Sequence, residues 1–203
     1  MSGLPRMNLY LATNNVHKVD EFNALIHCAK VLPATELEGM PTVAEDAGSF
    51  EGNARQKAVA LKARAPASAW VLSDDSGLSV DALNGAPGVT SARYAGADAT
   101  DEANIWKLLH ELEGVPDPLR TAQFVCCLVL LNPWGEAVVF TGSCPGRIAE
   151  TPQGKAGFGY DPVFIPEGYE QSFGELGAAI KSRLSHRARA VRKLCHWLEA
   201  HRD

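Results

Sequence analysis

The stretch Asn8-Leu9-Tyr10-Leu11-Ala12-Thr13-Asn14-Asn15-Val16-His17-Lys18 decides the fold class of this chain. Its first five residues form a short apolar run, which is typical of a buried strand, and Thr13-Asn14-Asn15 is a polar turn. A helix is predicted next, because four apolar residues share one helical face: Val19, Phe22, Ile26 and Ala29. A strand that turns directly into a helix predicts an α/β protein.

The rest of the chain continues this alternation. Strands are predicted at Val31-Leu32, at Trp70-Val71-Leu72 (ending in the polar run Ser73 to Gly77), and as a hairpin of Phe124–Leu131 with Ala137–Thr141. Helices are predicted over Asn53–Arg64, after a cap at Thr100 or Asp101, and at the end of the chain, where Leu184, Ala188, Val191, Cys195 and Leu198 share a face. A hairpin within a β/α pattern predicts a mixed sheet flanked by helices, and we treat residues 1–203 as a single domain.

Composition narrows the function classes. The 203 residues are 46% apolar and 21% charged, which is typical of a folded protein, and the net charge of -5 gives no reason to expect a nucleic-acid polymer as partner. No apolar run is long enough to span a membrane, and Met1–Met7 lack the apolar segment of a signal peptide. The odd cysteine count and the lack of a CxxC pair argue against a disulfide framework, so a cytoplasmic protein is expected.

Two polar segments of the first half could carry chemistry. Backbone N–H groups of the turn Thr13 to Lys18 lie at a predicted helix start, where anions bind, although an ordinary N-cap accounts for the same residues. Four acids, Glu45, Asp46, Asp74 and Asp75, offer the one or two carboxylates that Mg²⁺ takes from a protein. The alternative for Asp74-Asp75 is a plain turn, since Asp-Ser-Gly is common turn chemistry.

Two further segments lie in the second half. In Lys155-Ala156-Gly157-Phe158-Gly159-Tyr160-Asp161-Pro162, glycines permit close backbone approach and two rings could stack on a base, or the rings could simply belong to the core. Lys181-Ser182-Arg183-Leu184-Ser185-His186-Arg187 is expected to open the last helix, with Ser185 as its N-cap. Its cations could contact phosphate or a purine edge, or form a solvated basic face.

Taken together and in order, six segments resemble the Ham1/RdgB-type family of pyrophosphatases that act on non-canonical purine nucleoside triphosphates. The matching segments are Leu11–Lys18, Asn53-Ala54 with Lys57-Ala58, Asp74–Leu78, Gly85–Val89 with Ser91–Tyr94, Phe158–Pro162 and Ser185–Arg187. The resemblance implies an elongated mixed β-sheet flanked by helices, with two lobes and a central cleft. It also implies hydrolysis of ITP, dITP and XTP to the monophosphate and pyrophosphate with Mg²⁺, in a homodimer that cleanses the nucleotide pool.

The resemblance also implies roles for single residues. Thr13, Asn14, Asn15, Val16, His17 and Lys18 would hold the triphosphate, and Ser76 would touch the substrate. Asp75 would be the general base and a metal ligand, with Glu45 as second ligand and Asp74 and Asp46 as neighbouring candidates for the same tasks. Phe158, Gly159, Tyr160 and Asp161, with Lys181, His186 and Arg187, would hold and read the base.

Three positions depart from the family pattern: Asn14 replaces a glycine, Ala178-Ala179 replace acids, and Cys144 stands where an aromatic residue is common. Two other functions stay open at this point. One is a related pyrophosphatase for other modified or pyrimidine triphosphates, and the other is a nucleotide-binding regulator without turnover. A regulator would be expected to lose acids, yet Glu45, Asp74 and Asp75 are all present.

Overall fold

The computed structural model describes residues 7–201, so the first six of the residues considered for a signal peptide lie outside it. The strands are β1 (Asn8–Leu11), β2 (Lys30–Pro33), β3 (Trp70–Val80), β4 (Thr121–Leu131), β5 (Ala137–Ile148) and β6 (Phe164–Pro166). The helices are α1 (Val16–Leu25), α2 (Phe50–Lys62), α3 (Asp101–Glu111), α4 (Phe173–Leu184) and α5 (His186–Ala200). Between residues 7 and 201, no helix is long and apolar enough to cross a membrane.

The strands form one six-stranded sheet in the order β2-β1-β3-β4-β5-β6. Strand β1 is parallel to both β2 and β3, whereas β5 and β6 are antiparallel. The parallel part comes from the β–α–β connections through α1 and α2, and β4 and β5 are joined by a short turn at residues 132–136. The sheet is therefore mixed and flanked by helices, which confirms the predicted α/β class.

The described residues divide into two compact units. The first unit contains 7–75, 127–141 and 190–201, and the second contains 76–126 and 142–189. A helix-to-sheet core of small residues fills the first unit, with Ala54, Ala58 and Leu61 of α2 against Ala12 and Val71. Larger side chains fill the core of the second unit, including Leu108 and Leu112 of α3 with Phe164 and Phe173. Each such Leu or Phe contributes about 1.5–3 kcal/mol by leaving water.

Several helix starts follow from single polar side chains. Asn15 accepts a hydrogen bond from the Lys18 amide at the start of α1, and Thr100 accepts one from the Ala103 amide at the start of α3. Ser185 accepts from the amide of Ala188, as expected for the N-cap of α5. These bonds satisfy backbone donors that have no partner within the helix, so the polar residues fix where each helix begins.

Several predicted boundaries are wrong, among them the end of the hairpin strand Ala137–Thr141, which continues to Ile148. Strand β3 does not end before the polar run Ser73 to Gly77 but continues to Val80, because these residues are buried in the sheet rather than exposed in a turn. Helix α1 ends at Leu25, so Ile26 and Ala29 lie beyond it. Lys181 and Arg183 do not open the last helix; they form the last turn of α4, where cations complement the helix dipole.

The cysteines also differ from expectation in one respect. Cys28, after α1, forms a disulfide with Cys195 of α5, and their Cα atoms are 5.7 Å apart. The argument against disulfides fails for this pair because 167 residues separate the two cysteines, and no spacing rule reaches so far. Cys126, Cys127 and Cys144 are free and buried. They therefore pack as small apolar residues, as their sequence context predicts for the first two.

Candidate active site

The turn between β1 and α1 is organised by its own polar side chains. Thr13 Oγ1 accepts from the Asn15 amide and Asn15 Oδ1 accepts from the Lys18 amide, each at 3.1 Å. Asn14 Oδ1 accepts from the amide of Met40, also at 3.1 Å, which ties the turn to the loop before α2. Val16 and His17 are exposed at the start of the helix. The turn therefore presents a helix N-terminus, the element that suits an anion.

Asp74 and Asp75 lie in the middle of β3 rather than at its end, and both are buried. Side chains of successive strand residues point to opposite faces, so the two carboxylates have different partners. Lys18 Nζ lies 2.6 Å from Asp74 Oδ2. Lys57 Nζ lies 2.6 Å from Asp75 Oδ1, and Asn53 Nδ2 donates to Asp75 Oδ2 at 3.2 Å. The two acids are thus distinguished by geometry, which the sequence could not do.

Glu45 joins this group through the same lysine. Its Oε2 is 3.6 Å from Lys57 Nζ, so one ammonium lies within ion-pair distance of both Glu45 and Asp75. Asp46 instead accepts a hydrogen bond at 2.8 Å from Gln56 and is exposed. We call Glu45, Asn53, Lys57 and Asp75, with Lys18 and Asp74, the acidic cluster. All six residues belong to the first unit.

The acidic cluster fits the donor set that Mg²⁺ requires. Two carboxylates converge on one cationic atom, and Mg²⁺ takes one or two protein carboxylates and completes its shell with water and phosphate oxygens. Among residues 7–201, no group of three or more His, Cys, Asp or Glu side chains could hold a metal by itself. The cluster therefore suits a hard cation shared with a ligand rather than a closed structural metal site.

Burial raises the pKa of Asp75 above the ordinary aspartate value, because the charged carboxylate loses hydration. The nearby charges of Lys57 and Lys18 and the hydrogen bond from Lys57 oppose this rise, whereas the charge of Asp74 adds to it. A carboxylate with a raised pKa is a better proton acceptor than an exposed aspartate. Asp75 therefore binds a proton more readily than an exposed aspartate does.

In the second unit, the segment 156–161 is held by carboxylates. Asp161 Oδ2 accepts from the Phe158 amide at 2.9 Å and from Lys181 Nζ at 2.6 Å. Gly157 has φ +80°, and a Cβ atom there would overlap the Asp161 carboxylate, so the position requires glycine. The side chain of Tyr160 is buried, and its hydroxyl donates to the carbonyl of Ser91 at 2.8 Å.

Cations surround the ring of Phe158. Lys181 Nζ lies 4.5 Å and Arg187 Cζ 5.5 Å from the ring centroid. Arg187 also donates to Ser76 Oγ at 2.6 Å. We call Ser76, Phe158, Asp161, Lys181 and Arg187 the aromatic cluster. Its half-buried ring and converging donors form the kind of site that holds a flat, polar ring, since stacking and fixed donors act together.

Eight of the predicted site residues belong to the two clusters: Lys18, Glu45 and Asp75 to the acidic one, and Ser76, Phe158, Asp161, Lys181 and Arg187 to the aromatic one. Thr13 to His17 form the turn before α1, and Gly159 and Tyr160 lie in the loop that carries Phe158. His186 belongs to neither cluster; it is buried and stacks on Phe124 with ring centroids 4.8 Å apart. The sequence reasoning missed Asn53 and Lys57 as members of the acidic cluster. The signal was present: an Asn and a Lys four residues apart in an alanine-rich helix share one face, and both are buried.

Comparison with known proteins identifies the family of the chain. The model of the Ham1 family matches residues 9–197. The chain is 50% identical to a protein named dITP/XTP pyrophosphatase from Opitutus terrae, over 94% of this chain and 98% of that one. It is 45% identical to another of that name from Bdellovibrio bacteriovorus, over 95% of this chain and 98% of that one.

A solved structure has the same fold. The Ham1 protein of Staphylococcus aureus superposes with a TM-score of 0.84 and is 39% identical, covering 95% of this chain and 98% of that one. At this identity and coverage, and with a family match across nearly the whole sequence, the chain belongs to the Ham1 family.

Proposed function

We propose that this protein is a Mg²⁺-dependent pyrophosphohydrolase that converts ITP, dITP and XTP to the monophosphate and pyrophosphate. Membership of the Ham1 family and the names of the relatives support hydrolysis of non-canonical purine triphosphates. The observation that carries the proposal is that two carboxylates, the half-buried Glu45 and the buried Asp75, lie within ion-pair distance of the one buried ammonium of Lys57. Such a pair can hold a divalent cation, and phosphoryl-type transfer depends mainly on positioning and on the neutralisation of phosphate charge.

Asp75 is proposed as the general base. Asn53 and Lys57 fix its two oxygens, so the carboxylate is oriented before water arrives. The water oxygen forms a bond to phosphorus, its proton goes to Asp75, and the bond between the α and β phosphates breaks with its electron pair on pyrophosphate. No group of the protein becomes covalently attached, so no serine or cysteine nucleophile is needed.

Glu45 and Asp75 are the residues that would hold Mg²⁺, which when bound neutralises phosphate oxygens and lowers the pKa of bound water. Lys18 and the helix N-terminus at Thr13 to His17 are proposed to bind the triphosphate, since backbone donors and an ammonium attract anions. Asp74 Oδ2 forms an ion pair with Lys18 Nζ at 2.6 Å, and Asp74 is proposed to position this ammonium. The two adjacent aspartates thus receive different tasks.

The aromatic cluster is proposed to read the base. A 6-oxo purine presents an acceptor where adenine presents an amino group, so a pocket of donors such as Lys181 and Arg187 favours the first. The buried His186 beside these residues is proposed to contribute a further contact. Rejecting adenine in this way leaves polar groups unpaired, which is an effective means of discrimination. We further propose that the enzyme is a homodimer, that it acts in the cytoplasm, and that it removes non-canonical nucleotides from the nucleotide pool.

The direct test is a substrate panel. Pyrophosphate release would be measured for ITP, XTP, dITP, GTP, ATP and dUTP, each with and without Mg²⁺. We expect ITP, dITP and XTP to be hydrolysed with the highest kcat/KM. Preference for dUTP would support the pyrimidine alternative, and tight ITP binding without any pyrophosphate release would support the regulator.

A further inference from the structure

The segment Phe158-Gly159 is held by a second carboxylate that neither the family roles nor the proposed mechanism uses. Asp101 Oδ2, in the first turn of α3, accepts a hydrogen bond from the Gly159 amide at 2.6 Å. Gly159 has φ +60°, so this part of the backbone is in the left-handed region and is not held by regular secondary structure. A charge-assisted bond from a neighbouring helix is therefore a major restraint on it.

Helix α3 is a rigid support for this bond. Ile105, Leu108 and Leu109 of α3 are buried in the core of the second unit. One turn after Asp101, Asn104 accepts from the Ala95 amide at 2.8 Å and donates to the carbonyl of Ala92 at 3.2 Å. Because Asp101 and Asn104 are three residues apart, they share a face of α3. The helix therefore contacts both Gly159 and the segment after Ser91.

Ser91, at the start of that segment, anchors Tyr160, the residue after Gly159. Tyr160 is buried, and its hydroxyl donates to the Ser91 carbonyl. Asp161, three residues after Phe158, accepts a hydrogen bond from the Phe158 amide. The two residues after Phe158 are therefore both anchored. Asp101 holds Gly159 through an exposed hydrogen bond, and Ser91 holds Tyr160 through a buried one. Thr100 rather than Asp101 caps α3, which leaves the Asp101 carboxylate for the loop.

We propose that Asp101 is a positioning residue that fixes the Phe158-Gly159 backbone and thereby sets how tightly the nucleotide base is bound. This rests on the proposed function, because it assumes that Phe158 contacts the base. Asp101 does not touch the reacting phosphates in this assignment. Its loss should weaken binding of the base with little change in the rate of hydrolysis once the substrate is bound.

The chain offers a matched set of variants. Asp101→Ala removes the acceptor, and Asp101→Asn keeps an acceptor oxygen without the charge. Glu102→Ala removes the same charge from the same first turn, but Glu102 contacts Trp106 of its own helix rather than the loop. Comparing Asp101→Ala with Glu102→Ala therefore cancels the change in helix dipole and net charge.

Two measurements test the proposal. The first is amide hydrogen exchange of residues 156–161, which needs no nucleotide; we expect faster exchange in Asp101→Ala, wild-type exchange in Glu102→Ala, and an intermediate rate in Asp101→Asn. The second is the dissociation constant Kd for IMP together with the KM for ITP. We expect both constants to rise by about five- to tenfold in Asp101→Ala, with kcat changed less than about twofold, since the lost bond is charge-assisted but exposed.

Unchanged exchange in Asp101→Ala would overturn the positioning role. Faster exchange without a change in IMP affinity or ITP KM would overturn its effect on the base. A wild-type protein that binds IMP but hydrolyses no triphosphate would refute the proposed function instead. In that event, a weaker IMP affinity in Asp101→Ala alone would still support the role of Asp101.

Discussion

The acidic cluster of the first unit and the aromatic cluster of the second both contain a lysine–aspartate pair at 2.6 Å. In the first, Asp75 is bound by the side chains of Lys57 and Asn53. In the second, Asp161 is bound by Lys181 and also by a backbone amide of its own loop. A carboxylate held by side chains can exchange partners, whereas one that accepts a backbone amide fixes the chain. We therefore expect the Asp75 carboxylate to take part in the reaction and the Asp161 carboxylate to fix the loop that carries Phe158.

Removal of the metal should give the largest difference between the two clusters, because it should affect hydrolysis but not binding of the base. In our proposal, the acidic cluster binds a divalent cation that offsets the charge of the triphosphate, so we expect EDTA to abolish pyrophosphate release and Mg²⁺ to restore it. Affinity for IMP, which depends on the aromatic cluster in our proposal, should change little. Calorimetry with IMP and a pyrophosphate assay with ITP, both with EDTA, make the comparison. Full hydrolysis in metal-free buffer would exclude the proposed mechanism.

Next in size is the effect of Asp75→Asn, which keeps the shape of the side chain and removes the proton acceptor. We expect kcat for ITP to fall by about 10²–10⁴, with an unchanged circular dichroism spectrum. Asp74→Asn is the matched control in the adjacent position. We expect it mainly to raise KM, because Asp74 pairs with Lys18 rather than with the ammonium shared by Glu45. A larger loss of kcat in Asp74→Asn than in Asp75→Asn would reverse the two assignments.

The two clusters also differ in how far the sequence predicts them. The mixed sheet and most helices follow from apolar periodicity and from caps such as Thr100 and Ser185, because these signals are local. The residues Asp74 and Asp75 were predicted to end a strand, since a polar run normally lies at the surface. They lie within β3 because Lys18, Asn53 and Lys57 compensate their burial, and those partners are distant in sequence.

Other features escaped prediction for the same reason. The Gly159 bond to Asp101 joins residues 58 positions apart, and the cysteine pair is 167 positions apart. Neither spacing carries a periodic signal. Helix α4 was missed because Gly177, with φ 72° and ψ -179°, interrupts its backbone, and glycine is normally a sign of a helix end.

A smaller effect concerns stability, and it distinguishes the two units again. The Cys28–Cys195 disulfide lies within the first unit, whereas Cys126 and Cys144 of the second are free. Cross-linking restricts the unfolded chain, so we expect reduction to lower the free energy of unfolding by about 2–4 kcal/mol. Urea titrations with and without reductant measure this. The Cys28→Ala/Cys195→Ala variant should be insensitive to reductant, and equal stability of the oxidised and reduced wild type would contradict the expectation.

The smallest expected effect is on base selection by Arg187. Its guanidinium lies 5.5 Å from the Phe158 ring and donates to Ser76 Oγ, so it belongs to the aromatic cluster and not to the acidic one. A planar fork of donors matches a 6-oxo purine better than adenine. Arg187→Ala should therefore reduce kcat/KM for ITP more than for ATP, and the ITP/ATP ratio should fall by the equivalent of about 1–3 kcal/mol.

Arg183→Ala is the control for this variant, because it removes the same type of side chain from an exposed position at the end of α4. It should leave the ITP/ATP ratio unchanged. If Arg187 binds phosphate instead of the base, kcat/KM for both nucleotides should fall by the same factor, because ITP and ATP carry identical triphosphates. A constant ratio in Arg187→Ala would therefore move this residue from base recognition to triphosphate binding. The division of labour between the two clusters would then no longer hold.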